Sequence, residues 1–175
     1  EIIASRLTDR PIRPLLPSDF KYEVQILINV LSYDSLNNPD VLGTIGASAA
    51  LAISDIPWDG PIATVRVGKI KDKYIINPTI DEINESNLEI IVSGTSDSIL
   101  MVEGETDFIT EDTLLSSIQY AHEGIKDIIK IQNELVKECG KSKVEYEKDI
   151  IDEDIEKKVL KYIKKDIKGF NKPKN

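Results

Sequence analysis

What this sequence has little of narrows its chemistry before any motif is considered. Its one cysteine, Cys139, excludes an internal disulfide and suits a reducing compartment. Its one histidine, His122, leaves no partner for a Ser/His/Asp constellation or a Cys/His metal site. Beside an apolar stripe, that histidine reads as a packed or capping residue. No run approaches the roughly 20 apolar residues of a membrane span, nothing resembles a signal peptide, and no segment is repeated or low in complexity. The chain opens at Glu1, without methionine and inside an apparent helix, so we expect a fragment of a longer protein.

Arginine is scarce too, and its distribution is informative. Of 22 cationic side chains only four are arginines, and three of them, Arg6, Arg10 and Arg13, fall in one short stretch, with Arg66 apart. The spacing i, i+4, i+7 puts those three on one side of a helix. A guanidinium grips phosphate oxygens bidentately, as an ammonium cannot. The cluster therefore suits a phosphate-binding site, or equally a partly buried salt-bridged segment with Asp9 or Glu1; spacing alone leaves both open. The net charge of −9 excludes a broad nucleic-acid-coating surface. It does not exclude a local basic lip, because position rather than total governs steering, and residues 2–8 and 10–18 hold no carboxylate.

With 175 residues the chain is long enough for one domain and a small appendage. Residues 1–10 read as a helix end, stopped by Pro11, Pro14 and Pro17. Residues 22–32 are β-rich and predict a strand bordering a core. After a turn at 37–40, the small apolar residues of 41–54 predict a helix buried on most faces. Strands are expected near 62–70 and 73–77, joined at Lys71-Asp72, with a short helix or turn at 79–85 and a hairpin over 88–93 and 99–103. Thr110 should cap a long helix to about Glu138, with Glu111 and Asp112 in its first turn. A linker over 141–148 leads to a second helix, 152–168, acidic first and lysine-rich last, with Ile155, Val159, Tyr162, Ile163 and Ile167 as a narrow apolar stripe.

The run RLTDRPIRPLLP is similar to the RLxDRPIRPLFP segment of the polynucleotide phosphorylase family of phosphate-dependent 3′-to-5′ exoribonucleases. The resemblance continues in order through NPDVLGTIGASAALAISDIPWDGPIATVRVGKI, NPTIDEINESNLEIIVSGT, LMVEGE and NELVKECGK. It implies an α+β, RNase PH-like domain over residues 1–141, incomplete at its N-terminus, and the start of an all-helical linker domain over 142–175. It also implies RNA-facing roles for Arg10 and Arg13, with Arg6 and Arg66 in support. The implied partners are single-stranded RNA, a homotrimeric ring and RNA-degradation proteins, in the cytoplasm and without a membrane. Inorganic phosphate would be the co-substrate, and Mg2+ would be bound by a second RNase PH-like domain outside this chain.

Set beside catalytically competent copies of such a domain, this one departs at each reactive position. The phosphate-holding serine run is replaced by Asn37-Asn38-Pro39-Asp40, where proline cannot donate and Asp40 repels an anion. The Asp-x-Lys pair becomes Glu89 and Ile91, and a further metal-binding Asp becomes Ile83. We therefore expect no catalytic or metal-binding residue here, and a silent domain that guides RNA and forms the ring in mRNA degradation. Two alternatives stand beside it. One is a purely structural ring scaffold, and the other is a free-standing RNase PH acting on tRNA ends, which the lost serines and lysine and the added helices disfavour.

Overall fold

The computed structural model describes residues 2–147 and 153–170. The chain divides into two compact units, Glu1–Glu145 and Tyr146–Asn175. The first opens with helix α1, Ile2–Ile12, followed by a 3₁₀ turn over Arg13–Leu15. Helix α1 runs through Pro11 instead of stopping before it. In the last turn a proline removes one backbone bond without interrupting a continuing ladder. Helix α2 spans Asp40–Ile53.

A four-stranded antiparallel sheet follows: β1 (Ala63–Ile70), β2 (Lys73–Ile76), β3 (Leu88–Gly94) and β4 (Ile99–Thr106), in the order β2-β1-β3-β4. The β1–β2 turn is Lys71-Asp72, as the sequence predicts, with both residues at positive φ (48° and 64°). That pair of dihedrals gives the turn the twist that flanking strands prefer. Between β2 and β3, the short helix α3 (Ile80–Asn84) carries a capping box of Thr79 and Glu82.

Alternation along the strands sorts side chains onto two faces. Val65 and Val67 of β1 and Leu88, Ile90 and Val92 of β3 pack against Ala121, Ile125 and Ile129. Those three belong to helix α4, Glu111–Cys139, capped by Thr110, whose side chain accepts from the Thr113 N–H at 3.3 Å. Each such burial contributes about 1.5–3 kcal/mol. Helices α1 and α2 cover the opposite face, where Leu7 and Val41 meet Ile91 and Met101.

Two polar ties hold these layers. Ser48 Oγ of α2 donates to Gln132 Oε1 of α4 (2.7 Å), Gln132 Nε2 donates to the Ile62 carbonyl (2.8 Å), and the Ile62 N–H donates back to Ser48 Oγ (3.0 Å). The Trp58 indole N–H donates to the Ile12 carbonyl at 3.1 Å. Gly60 lets that ring lie close, because a Cβ there would stand 2.1 Å from it. His122 packs as expected, its Nε2–H donating to the Thr95 carbonyl at 3.0 Å.

Two further expectations fail in the first unit. Residues 22–32 belong to no strand: their backbone is not laid against either edge of the sheet, β2 or β4. Helix α2 is buried on one face only. Val41, Thr44, Ala47, Ser48, Leu51 and Ala52 face inward, whereas Leu42 is 59% exposed and Gly46 and Ala50 are open.

Past Gly140 the chain stays tied to the first unit. The Lys141 and Val144 N–H groups donate to the Ile53 and Asp55 carbonyls, and Lys143 Nζ donates to three carbonyls at the C-terminal end of α2. Desolvation there lowers the Lys143 pKa, against the raising influence of Asp55. In the second unit helix α5 spans Glu153–Phe170. Ile155, Val159 and Tyr162 of the expected stripe are exposed and Ile163 is half-buried. Asp152, the expected first residue, and the Ile167 side chain lie outside the described residues.

Candidate nucleic-acid interface

The 3.6-residue period of α1 separates two sets of side chains. Leu7, Thr8, Pro11 and Ile12 turn inward, which leaves Arg6, Arg10 and, just beyond the helix, Arg13 exposed. The structure thus brings the three clustered arginines to one surface. They differ in their partners. Arg10 Nη1 donates to Glu103 Oε2 on β4. Arg13 grips Asp9 with both arms of its fork, Nε to Oδ1 at 3.0 Å and Nη2 to Oδ2 at 2.6 Å. Arg6 has no side-chain partner among the described residues.

The sheet register explains how Glu103 comes to meet α1. Arg66 on β1 stands opposite Ile91 on β3, and Ile91 opposite Glu103 on β4. All three positions lie on the sheet face covered by α1 and α2. Glu103 sits at the open end of that row and reaches up to Arg10. Sequence reasoning singled out its motif, LMVEGE, but assigned Glu103 no role, since the pairing spans 93 residues.

Arg66 does not share the exposed surface. It is only 5% exposed, with Nη2 on Asp40 of α2 and Nη1 on Glu89 of β3. Its Nε is buried without a partner among the described residues. The resemblance implies an RNA-facing arginine at this position; here two carboxylates hold it beneath the surface.

Magnitudes separate the arginines. The side chains of the Arg10–Glu103 pair are 44% and 48% exposed, and those of the Arg13–Asp9 pair 74% and 48%. Pairs this wet are worth about 0–1 kcal/mol each, so a phosphodiester can replace the carboxylate. Removing one partner of a buried pair such as Arg66–Asp40 costs about 3–5 kcal/mol, because the other charge is left uncompensated. Exchange to phosphate is easy at positions 10 and 13 and expensive at 66.

The positions set against a metal site do not fit one. Ile83 and Glu89 line the same shallow cleft, beside Glu105 and Asp107. Ile83 and Ile91 have no donor atoms, and Glu89 is taken by Arg66. Among the described residues no group of three or more His, Cys, Asp or Glu side chains is arranged to hold a metal ion. None of the helices among the described residues is long and apolar enough to cross a membrane.

Known proteins align along most of this chain. Residues 1–57 match the model of the 3′ exoribonuclease family, domain 1, and residues 60–124 match domain 2 of the same family. A polyribonucleotide nucleotidyltransferase of Syntrophotalea carbinolica is 50% identical over 159 residues, covering 91% of this chain and 23% of that protein. One from Thermus thermophilus is 49% identical over 143 residues, covering 82% and 20%. One from Pelagibacter ubique is 46% identical over 167 residues, covering 95% and 24%. This chain therefore spans about a fifth to a quarter of the length of the curated relatives it matches. With both family models matched in order over an α+β architecture, the chain belongs to the 3′ exoribonuclease, or RNase PH, family.

Proposed function

We propose that this chain is an RNA-guiding, ring-forming and catalytically silent RNase PH-like domain of a phosphate-dependent 3′-to-5′ exoribonuclease. Residues 1–141 would form that domain, and residues 142–175 would begin an all-helical linker domain. The whole enzyme would be a homotrimer that degrades mRNA in the cytoplasm. Its inorganic phosphate and Mg2+ would be bound by a second RNase PH-like domain outside this chain. The names of the relatives, polyribonucleotide nucleotidyltransferase, support the reaction class.

One observation carries the RNA-guiding role: Arg6, Arg10 and Arg13 lie exposed on one surface of an acidic protein. Two of them are held by carboxylates weak enough to exchange for phosphate. In this reading Arg66 clamps α2 to the sheet beneath the RNA path. Silence is supported by Pro39, Ile83 and Ile91, which cannot hold phosphate or metal, and by Glu89 being occupied with Arg66.

The same ion pairs favour a second reading, in which Arg10–Glu103 and Arg13–Asp9 are braces and the domain is a scaffold without RNA contact. The test uses the full-length protein carrying Arg10→Ala and Arg13→Ala. Phosphate contacts carry no sequence information, so poly(A) and poly(U) binding should weaken alike. Each lost contact should flatten the log-affinity against log-salt slope by about 0.7. Lysine at both positions should restore only part of the affinity, since the fork is gone. Unchanged affinity and slope would hand the segment to the brace.

A further inference from the structure

Helix α1 is seated without help from the ion pairs of its arginines. Leu7 and Ile12 are each 2% exposed, and the Trp58 indole holds the Ile12 carbonyl. Thr8 Oγ1 and Thr44 Oγ1 of α2 share a hydrogen bond of 3.3 Å. Arg10 and Arg13 lie away from these contacts, at the surface. Pairs that wet add little to the seating, so a carboxylate beside Arg10 invites another explanation.

The two pairs arise differently. Asp9 and Arg13 are neighbours at i, i+4 and meet wherever the helix forms. Glu103 comes from 93 residues away. Its place is set by β4, whose ladder with β3 puts Val102 opposite Val92 and Glu103 opposite Ile91. The Glu103 backbone therefore stays where it is when its carboxylate lets go of Arg10. A tethered group returns at high effective concentration, so it competes with any anion that arrives from solution. Arg66 shows the opposite arrangement: enclosed with Asp40 and Glu89, it releases neither cheaply.

A wet ion pair is closed only part of the time. One as exposed as Arg10–Glu103 leaves the guanidinium free for roughly a sixth to a half of the time. The apparent affinity for an incoming ligand falls by that fraction. Glu103 should thus weaken a phosphate contact at Arg10 about two- to sixfold without abolishing it.

We infer that Glu103 is a built-in competitor for RNA phosphate, which keeps the contact at Arg10 weak and reversible. This rests on the RNA-guiding reading given above. An enzyme that removes nucleotides one after another has to let the strand advance. A contact that exchanges readily between phosphodiester and carboxylate guides the strand without pinning it. When a phosphate moves on, Glu103 takes its place until the next arrives.

The test is a double-mutant cycle on RNA binding by the full-length protein, with poly(A) and poly(U) as probes. Glu103→Gln keeps the side-chain shape and removes the charge, and should tighten both RNAs about two- to sixfold at low salt. The gain should shrink as salt rises, because it is electrostatic. Glu134→Gln is the control for lost charge: it is exposed on α4, across the sheet from α1, and should change affinity less. In an Arg10→Ala background, Glu103→Gln should bring no gain beyond that control. Its melting midpoint should stay near the parent's, and a large fall would mark Glu103 as a brace and overturn the inference. Weaker binding by Glu103→Gln would overturn it too, since Glu103 would then hold Arg10 toward the RNA. So would a gain that survives Arg10→Ala, which is general charge repulsion. If Arg10→Ala weakens RNA binding and Glu103→Gln leaves it unchanged, the competitor fails and RNA guidance stands. If Arg10→Ala has no effect, both fail.

Discussion

Residues 63–139 and residues 2–58 meet the same demands in different ways. In the former, β1, β2, β3 and β4 pair along their lengths with one register shift, at Ser93/Gly94 between β3 and β4, and β1 and β3 bury nearly every side chain between α4 on one face and α1 and α2 on the other. The latter contributes two helices and an apolar segment that pairs with nothing described. The two regions correspond closely to the two family models, 60–124 and 1–57. Composition does not separate them, since both hold long apolar stretches. What separates them is whether a backbone partner lies within the described residues. An apolar side chain stabilises only where something excludes water from it, and a strand persists only where its hydrogen bonds are met.

The sharpest way to break this comparison is to make one substitution in both regions. Leu88 is fully buried on β3 and Leu31 is 95% exposed. Leu88→Ala should cost about 2–5 kcal/mol, from lost transfer energy and the cavity left behind. Leu31→Ala should fall within about 0.5 kcal/mol of the parent, as surface substitutions do. Denaturant unfolding of each variant of this 175-residue chain measures both. Equal losses would mean that the 22–33 segment is packed after all.

A smaller effect tests the seam between the regions. Gln132 on α4 is 4% exposed and links Ser48 on α2 to the Ile62 carbonyl. Gln132→Leu keeps most of the volume but strands that carbonyl, a cost of about 1–3 kcal/mol. If the two regions hold together through apolar contact alone, the unfolding midpoint should not move.

The smallest effect belongs to the turn that ends the open segment. The Asp34 carboxylate accepts from the Asn37 and Leu36 N–H groups and from the Asn37 side chain, and the Asn37 backbone bond is the main cause of its lowered pKa. A carboxylate with a depressed folded pKa contributes stability above its unfolded pKa, and that contribution is lost as pH falls through the folded value. NMR titration should place Asp34 below the ordinary aspartate range, and Asp34→Asn should remove its share of the acid sensitivity. An ordinary titration would mean the turn is not held, and the open segment would then lack a fixed end.

Much of this molecule was legible in the sequence, and for local reasons. The helix cap at Thr110, the turn at Lys71-Asp72, the apolar face of α4 and the outward arginine stripe depend on residues a few positions apart. Spacing and residue type determine such features before any distant contact forms. Tertiary structure decided the rest. Whether 22–32 would pair depended on which backbone the fold brought alongside it, and neither edge strand, β2 or β4, lies there. Arg10 found Glu103, and Arg66 found Asp40 and Glu89, only because strand register and helix packing brought distant residues together. Residue type and spacing left the three clustered arginines open between phosphate ligands and salt-bridged braces, and only the family resemblance added Arg66. Burial then set three of them at the surface and sealed the fourth inside, because a guanidinium enclosed with two carboxylates is costly to release while one in water is not.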